Sequence, residues 1–295
     1  MNDKIKARLG VLLANFFFGT SVVAVKHITP SLILPFALTA VRIVCAAILF
    51  WILYAVKPVS TGIVKKDYLI LFFCAMTGIV INQTFTMHGF ALTSPVHASL
   101  LLLTTPITIT LLAAWFLKEP LNGFKIAGLF LGICGGALLM FSRDLSSKAG
   151  DQQWLGDLFV IISAIGYSIY VITVKPLMAK YKAMHILQWV FLFAVFFSLP
   201  IGWSDLQKVQ WHAFDGLSWF ALGYVVIGST FLAYQLMNYG IKKLGASVTG
   251  SYIYTQPFFA TAASMILLNE QLNVQKIGAA VLIMTGVFLT NYKKK

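Results

Sequence analysis

From end to end this chain repeats one element: an apolar run of about twenty residues, closed off by a short cluster of charge or proline. Twenty residues of α-helix rise about 30 Å, the depth of the hydrocarbon core of a bilayer. The runs fall at 8–26, 34–55, 67–89, 93–117, 122–141, 154–175, 183–202, 215–238, 244–268 and 274–292. Lys57-Pro58, Lys118-Glu119-Pro120, Lys175-Pro176 and Lys242-Lys243 separate some of them. Only 11% of the residues are charged, whereas a surface that faces water calls for roughly a quarter. The expected fold class is therefore an all-α membrane protein with ten transmembrane helices. No connection is long enough to hold a separate soluble domain.

A net charge of +13 would suit nucleic acid, but its distribution points to lipid. Counted on alternate sides of the runs, 16 Lys and Arg collect on one side, among them Lys4, Lys6, Arg8, Lys65, Lys66, Lys175, Lys242 and Lys243. The other side holds five, Lys26, Arg143, Lys148, Lys208 and Lys276, and Arg42 alone lies within a run. Basic loops stay cytoplasmic. The expectation is a multi-pass protein of a bacterial inner membrane with both termini in the cytoplasm. The lipid bilayer is its partner and nucleic acid is not; a homodimer with a second copy is left open. Trp51, Trp115, Trp154, Trp203 and Trp219 sit near run ends, where amphipathic rings prefer the interface. Cys45, Cys74 and Cys134 lie inside apolar runs as packing residues. No disulfide framework, metal site or cofactor is indicated. The basic N-terminus leads into the first run without a small-residue cleavage site, so that run is read as a retained span.

The chain also resembles itself. A shift of 151 residues sets Thr104, Pro106, Thr110, Glu119, Asn122, Lys125 and Gly135 on Thr255, Pro257, Thr261, Glu270, Asn273, Lys276 and Gly286. A shift of 149 sets Ala24-Val25-Lys26 on Thr173-Val174-Lys175. Matching polar residues, proline and glycine are hard to obtain by chance in so apolar a chain. The domain expectation is two five-span repeats, 1–145 and 146–295. Five is odd, so the second repeat must be inverted in the membrane relative to the first, a design that recurs in secondary transporters.

These segments resemble the drug/metabolite transporter superfamily, and within it the ten-span bacterial EamA-type family. The resemblance covers nearly the whole chain. Its most specific parts run from Leu103-Thr104-Thr105-Pro106 to Lys118-Glu119-Pro120-Leu121 and from Tyr254-Thr255-Gln256-Pro257 to Asn269-Glu270-Gln271-Leu272. Phe36 to Arg42 and Phe90-Ala91-Leu92 match as well, while the family's usual tryptophan-glycine of the first span reads Phe18-Gly19 here. The resemblance implies helices bundled around a central cavity, with the fifth and tenth spans peripheral. It also implies export or exchange of amino acids, related metabolites or drugs without ATP.

Several residues are candidates for the mechanism. Pro106 and Pro257, near the middle of spans four and nine, have no N–H to give the carbonyls of Leu102 and Ile253. Such carbonyls need another donor in hydrocarbon. The prolines are read as a paired hinge, with Thr104, Thr105, Thr255 and Gln256 beside it; a static kink satisfied by threonine hydroxyls is the plainer alternative. Arg42 is the one charge near the centre of a span, where arginine costs roughly 2.5–3.5 kcal/mol on insertion scales. It either holds a substrate carboxylate, controls gating, or binds helix-end carbonyls. No Asp or Glu lies at comparable depth, which disfavours coupling through an acidic proton relay. His88 and His97 could titrate near neutral pH instead, or serve as interfacial polar residues. Glu119 and Glu270 are read as topological, each close to an asparagine (Asn122, Asn273) suited to cap the next helix. Asn15, Gln83, Tyr167, Gln235, Asn238 and Tyr252 complete the cavity candidates, with Tyr254 and Phe258 as aromatic neighbours. Helix-to-helix hydrogen bonding is the alternative role for all six.

Nothing in the sequence has the clustered acids, histidines or nucleophiles of a membrane enzyme, nor a Walker loop. The expected function is a secondary transporter of a small-molecule substrate, exporting or exchanging amino acids or related compounds by alternating access. A drug or sugar-nucleotide carrier of the same fold is the alternative, and a channel-like pore a further one.

Overall fold

The computed structural model describes residues 3–56, 58, 62–92, 101–141, 153–268 and 274–291, which are almost wholly helical, with no strand among them. Helices α1 (Asp3–Ile28) and α2 (Pro35–Val56) are followed by a composite α3. It consists of Asp67–Ala75, a π-helical stretch Met76–Ile81, and Asn82–Leu92. Then come α4 (Thr104–Phe116), α5 (Gly123–Phe141), α6 (Gln153–Lys180) and α7 (Ala183–Leu206). Helix α8 is composite in the same way as α3: Gly216–Gly223, a π-helical Tyr224–Leu232, and Ala233–Leu244. Helix α9 joins Ala246–Ser251, a 3-10 turn Tyr252–Thr255 and Gln256–Leu268, and α10 is Val274–Asn291.

Among the described residues six helical stretches are long and apolar enough to cross a membrane: Asp3–Val25, Pro35–Val56, Asp67–Thr86, Trp154–Lys180, Ala183–Leu206 and Gly216–Leu244. Thr104–Phe116, Gly123–Gly135 and Ala280–Thr290 are shorter apolar helices. The outer surface agrees with a hydrocarbon surrounding. Leu69, Trp115, Phe130, Phe220, Ile266 and Phe288 are each at least 64% exposed. A soluble chain would rarely present so much apolar area to water.

Packing is tightest where small residues let backbones meet, because lipid supplies no hydrophobic force between helices. Helices α2 and α7 pair closely, as do α5 and α10. A Cβ on Gly128 would lie 2.6 Å from the Gly286 carbonyl oxygen, and one on Gly286 would lie 2.7 Å from that of Gly128. The largest core, around Phe50, Ile79, Tyr170, Leu187 and Phe191, draws on α2, α3, α6 and α7. A second, around Val11, Ala14, Met237, Tyr252 and Val287, joins α1 and α8 to α9 and α10.

The boundaries differ from the sequence expectation in two ways. Proline does not end α6, which runs past Pro176 to Lys180, and α7 continues beyond residue 202 to Leu206. Around Pro176, Val174, Leu177, Met178 and Tyr181 are all buried, so packing outweighs the lost helix bond. Conversely, the fourth run is broken. Leu103 forms a turn and α4 starts afresh at Thr104.

Candidate functional site

The π-helical stretches explain what converges at the middle of the bundle. A π turn widens the helix and frees carbonyl oxygens that an α-helix would use. In α8, Thr230 Oγ1 donates to the carbonyl of Val225, five residues back, at 2.8 Å. The same hydroxyl accepts from Arg42 Nε of α2 at 3.0 Å. In α3, the π-helical Gly78 carbonyl lies 3.5 Å from the Tyr234 hydroxyl of α8. Tyr234 also accepts from Gln83 Nε2 at 3.0 Å. Phe18, Phe191 and Tyr234 meet edge to face. Arg42 and Tyr234 are both buried, at 7% and 3% exposure, while Gln83 and Tyr167 are half-buried.

Other expected cavity residues are brought together in smaller groups. Gln256 Nε2 donates to Asn15 Oδ1 at 2.8 Å, and Asn15 Nδ2 donates to the Val11 carbonyl at 2.7 Å, joining α1 to α9. Asn238 is hydrogen-bonded to the Tyr170 hydroxyl at 2.8 Å. Tyr252 is buried in the apolar core beside Val11 and Met237. Gln235 is half-buried on α8. Thr105 is buried, and its carbonyl accepts from Ser168 Oγ at 3.4 Å. Ring centroids of His88 and Phe36 lie 4.2 Å apart, and Phe159 covers His88 from a second side. His97, Glu270 and Asn273 lie outside the described residues.

The prolines need correction. Pro106 and Pro257 stand in the first turn of the segments Thr104–Phe116 and Gln256–Leu268, where a missing N–H costs no helix bond. The Ile253 carbonyl, expected to lack a partner, accepts from the Gln256 N–H across the 3-10 turn. Thr104 Oγ1 bonds the Leu101 carbonyl at 2.6 Å, and Thr255 Oγ1 bonds the Tyr252 carbonyl at 2.7 Å. Each of these hydroxyls thus turns back on its own helix.

Contacts across the bundle obey the sequence repeat. Gln83 and Tyr234 are 151 residues apart and hydrogen-bonded, and so are Leu103 and Tyr254, at 3.5 Å. Residues at equivalent positions can touch only beside the axis that relates the two halves. The glycine contacts agree: Gly89 of α3 meets Val160 of α6, and Gly240 of α8 meets Val11 of α1. A shift of 151 turns Gly89 into Gly240, and a shift of 149 turns Val11 into Val160.

At the end of the bundle where Asp3 pairs with Lys243 at 2.7 Å, Glu119 does something the sequence did not announce. Asn122 Oδ1 does cap α5, accepting from the Lys125 N–H at 2.8 Å. The Glu119 carboxylate instead reaches the other half. It pairs with Lys175 of α6 and accepts from the Ala246 N–H at 3.0 Å and from Ser247 Oγ at 2.8 Å. Helix α9 starts after Gly245 (φ 93°) with no cap of its own, so Glu119 caps it from a distance. Burial pushes the Glu119 carboxyl up, but the bonds from Lys175, Ser247 and Ala246 outweigh it and hold its pKa below the ordinary value. Sequence reading missed Glu119 as a bridge, and missed Tyr234 and Thr230 altogether. The register alone, which sets Tyr234 opposite Gln83, could have indicated the first of these two.

Comparison with known proteins bears on the whole chain. The profile of the EamA-like transporter family matches twice, at residues 5–141 and 154–292. The uncharacterized transporter YetK of Bacillus subtilis is 26% identical over 254 residues, 86% of this chain and 77% of the relative. An uncharacterized transporter of Synechocystis is 23% identical, covering 100% of this chain and 92% of its own length. A WAT1-related chloroplastic protein of Arabidopsis thaliana is 26% identical over 96% of this chain and 69% of its own. A solved crystal structure superposes with a TM-score of 0.79 over 96% of this chain and 95% of the other, at 19% identity, a likeness of fold alone. With both halves matched in turn, the chain belongs to the EamA-like transporter family.

Proposed function

We propose that this protein is a secondary transporter that exports or exchanges amino acids or closely related small metabolites by alternating access. Two inverted five-helix repeats cross a bacterial inner membrane ten times, with both termini in the cytoplasm. The observation that carries this reading is the pair of hydrogen bonds between residues one repeat apart, Gln83 to Tyr234 and Tyr254 to Leu103. Contacts between equivalent residues support a two-fold relation between the halves, and in an inverted pair of repeats exchanging the two conformations moves an opening from one side to the other. At one end of the bundle Glu119 ties Lys175 and the start of α9 together, a contact between the halves of the kind a gate needs. Lys175, Lys180, Lys242 and Lys243 gather at this end, which supports a cytoplasmic placement.

The test is counterflow in proteoliposomes with labelled amino acids and small metabolites, with and without an imposed pH gradient. Saturable counterflow is expected. It should be indifferent to the gradient, because no Asp or Glu among the described residues sits in the middle of a span. Flux that rises linearly with concentration would identify a pore and overturn the reading. Flux driven by the gradient would retain the carrier and move coupling to a group such as His88.

A further inference from the structure

We infer that Arg42 is the docking point for one carboxylate group, so that the solutes carried are amino acids or small monocarboxylic acids. This rests on the transport reading and names the chemistry of its site. Arg42 is 7% exposed in the middle of α2. Among the described residues its one hydrogen bond runs from Nε to Thr230 Oγ1, and no carboxylate pairs with it. Arginine has five N–H donors in a planar fork. Four of them, on the two Nη atoms, are therefore without a partner among the described residues. A buried charge in that condition is costly unless something mobile completes it. The Nη pair can grip the two oxygens of a carboxylate end-on, and the bond from Nε to Thr230 already fixes the plane of the fork.

The surroundings narrow the ligand. Tyr234 of α8 is near enough to the guanidinium to interact with it electrostatically, and it accepts a hydrogen bond from Gln83 of α3. Phe18 and Phe191 hold the Tyr234 ring from two sides. One cation in a setting of aromatic and amide groups matches one negative charge. A phosphate dianion or nucleoside diphosphate would need further cations here, and Arg42 would repel a cationic drug.

The experiment measures thermal stability of the purified full-length protein in detergent. The probes are the twenty L-amino acids with lactate, pyruvate and benzoate, each beside its carboxamide. At least one acid should raise the melting temperature where its amide does not. In Arg42→Gln that rise should vanish, and in Arg42→Lys, which keeps the charge but not the fork, the half-saturating concentration should increase at least tenfold. The comparison of acid with amide on the unaltered protein does not depend on either variant folding. If no acid exceeds its amide, or if Arg42→Gln responds as the unaltered protein does, the inference is overturned. Counterflow of the same probes separates the two readings. Counterflow that treats acid and amide alike leaves the carrier standing and removes the carboxylate site. Binding of acids without any counterflow keeps the site and removes the carrier.

Discussion

Replacing Glu119 by alanine should lower the stability of the folded protein by about 3 kcal/mol, combining a lost charge-assisted bond with a lost helix cap. Both partners are only partly buried, with side chains 13% and 29% exposed, so the loss stays below that of a fully buried pair. The substitution strands Lys175 and leaves the Ala246 and Ser247 N–H groups at the start of α9 without an acceptor. Glu119→Gln retains an acceptor oxygen and should lose about half as much. Acidity gives an independent reading. The folded-state pKa of Glu119 lies below the ordinary 4.5, so its contribution is complete above that pH and is lost as pH falls through the folded value. Melting temperatures followed from pH 7 to pH 3 should therefore show unaltered protein and Glu119→Gln converging below pH 4.5. A constant gap across that range would mean that the carboxylate charge contributes nothing.

A comparable loss, also about 3 kcal/mol, is expected for Gly78→Val, from overpacking and a broken buried hydrogen bond. Gly78 lies in the π-helical stretch of α3, directly against the ring of Tyr170, where an added Cβ would overlap it. Tyr170 is 1% exposed and cannot withdraw. Moving it also breaks the bond to Asn238 that links α6 to α8. Chemical denaturation of the purified variant measures the loss. Stability equal to that of the unaltered chain would show that the α3–α6 contact is looser than described. Gly223, which has open space around its Cβ position, is the matched control, and Gly223→Val should change stability by less than about 1 kcal/mol.

The long apolar stretches were legible because a bilayer imposes one length on every element that crosses it. The register was legible because polar residues, prolines and glycines recur at one offset, and that offset reappears as contacts, Gln83 with Tyr234 and Leu103 with Tyr254. What stayed hidden depends on local backbone geometry. Nothing in the sequence of Met76–Ile81 or Tyr224–Leu232 marks a π turn. Without that turn, the acceptor that Thr230 offers to Arg42 cannot be foreseen. The prolines misled for a related reason. Their spacing was right, but only the turn at Leu103 and the 3-10 turn at Tyr252–Thr255 reveal that each stands in the first turn of an α-helical segment, Thr104–Phe116 or Gln256–Leu268. Glu119 adjoins the next helix in sequence, and sequence distance cannot show that its carboxylate reaches the start of α9 and Lys175 in space.

If the proposed function holds, the end of the bundle clasped by Glu119 opens and closes during transport. This is tested by placing cysteines at Glu119 and Ser247, whose side chains are in contact, in a chain with Cys45, Cys74 and Cys134 replaced by alanine. A short reducible bis-thiosulfonate then ties them together in proteoliposomes. Cross-linked protein should lose counterflow, and reduction should restore it to the level before linking. Undiminished counterflow while the link is intact would contradict alternating access through this end.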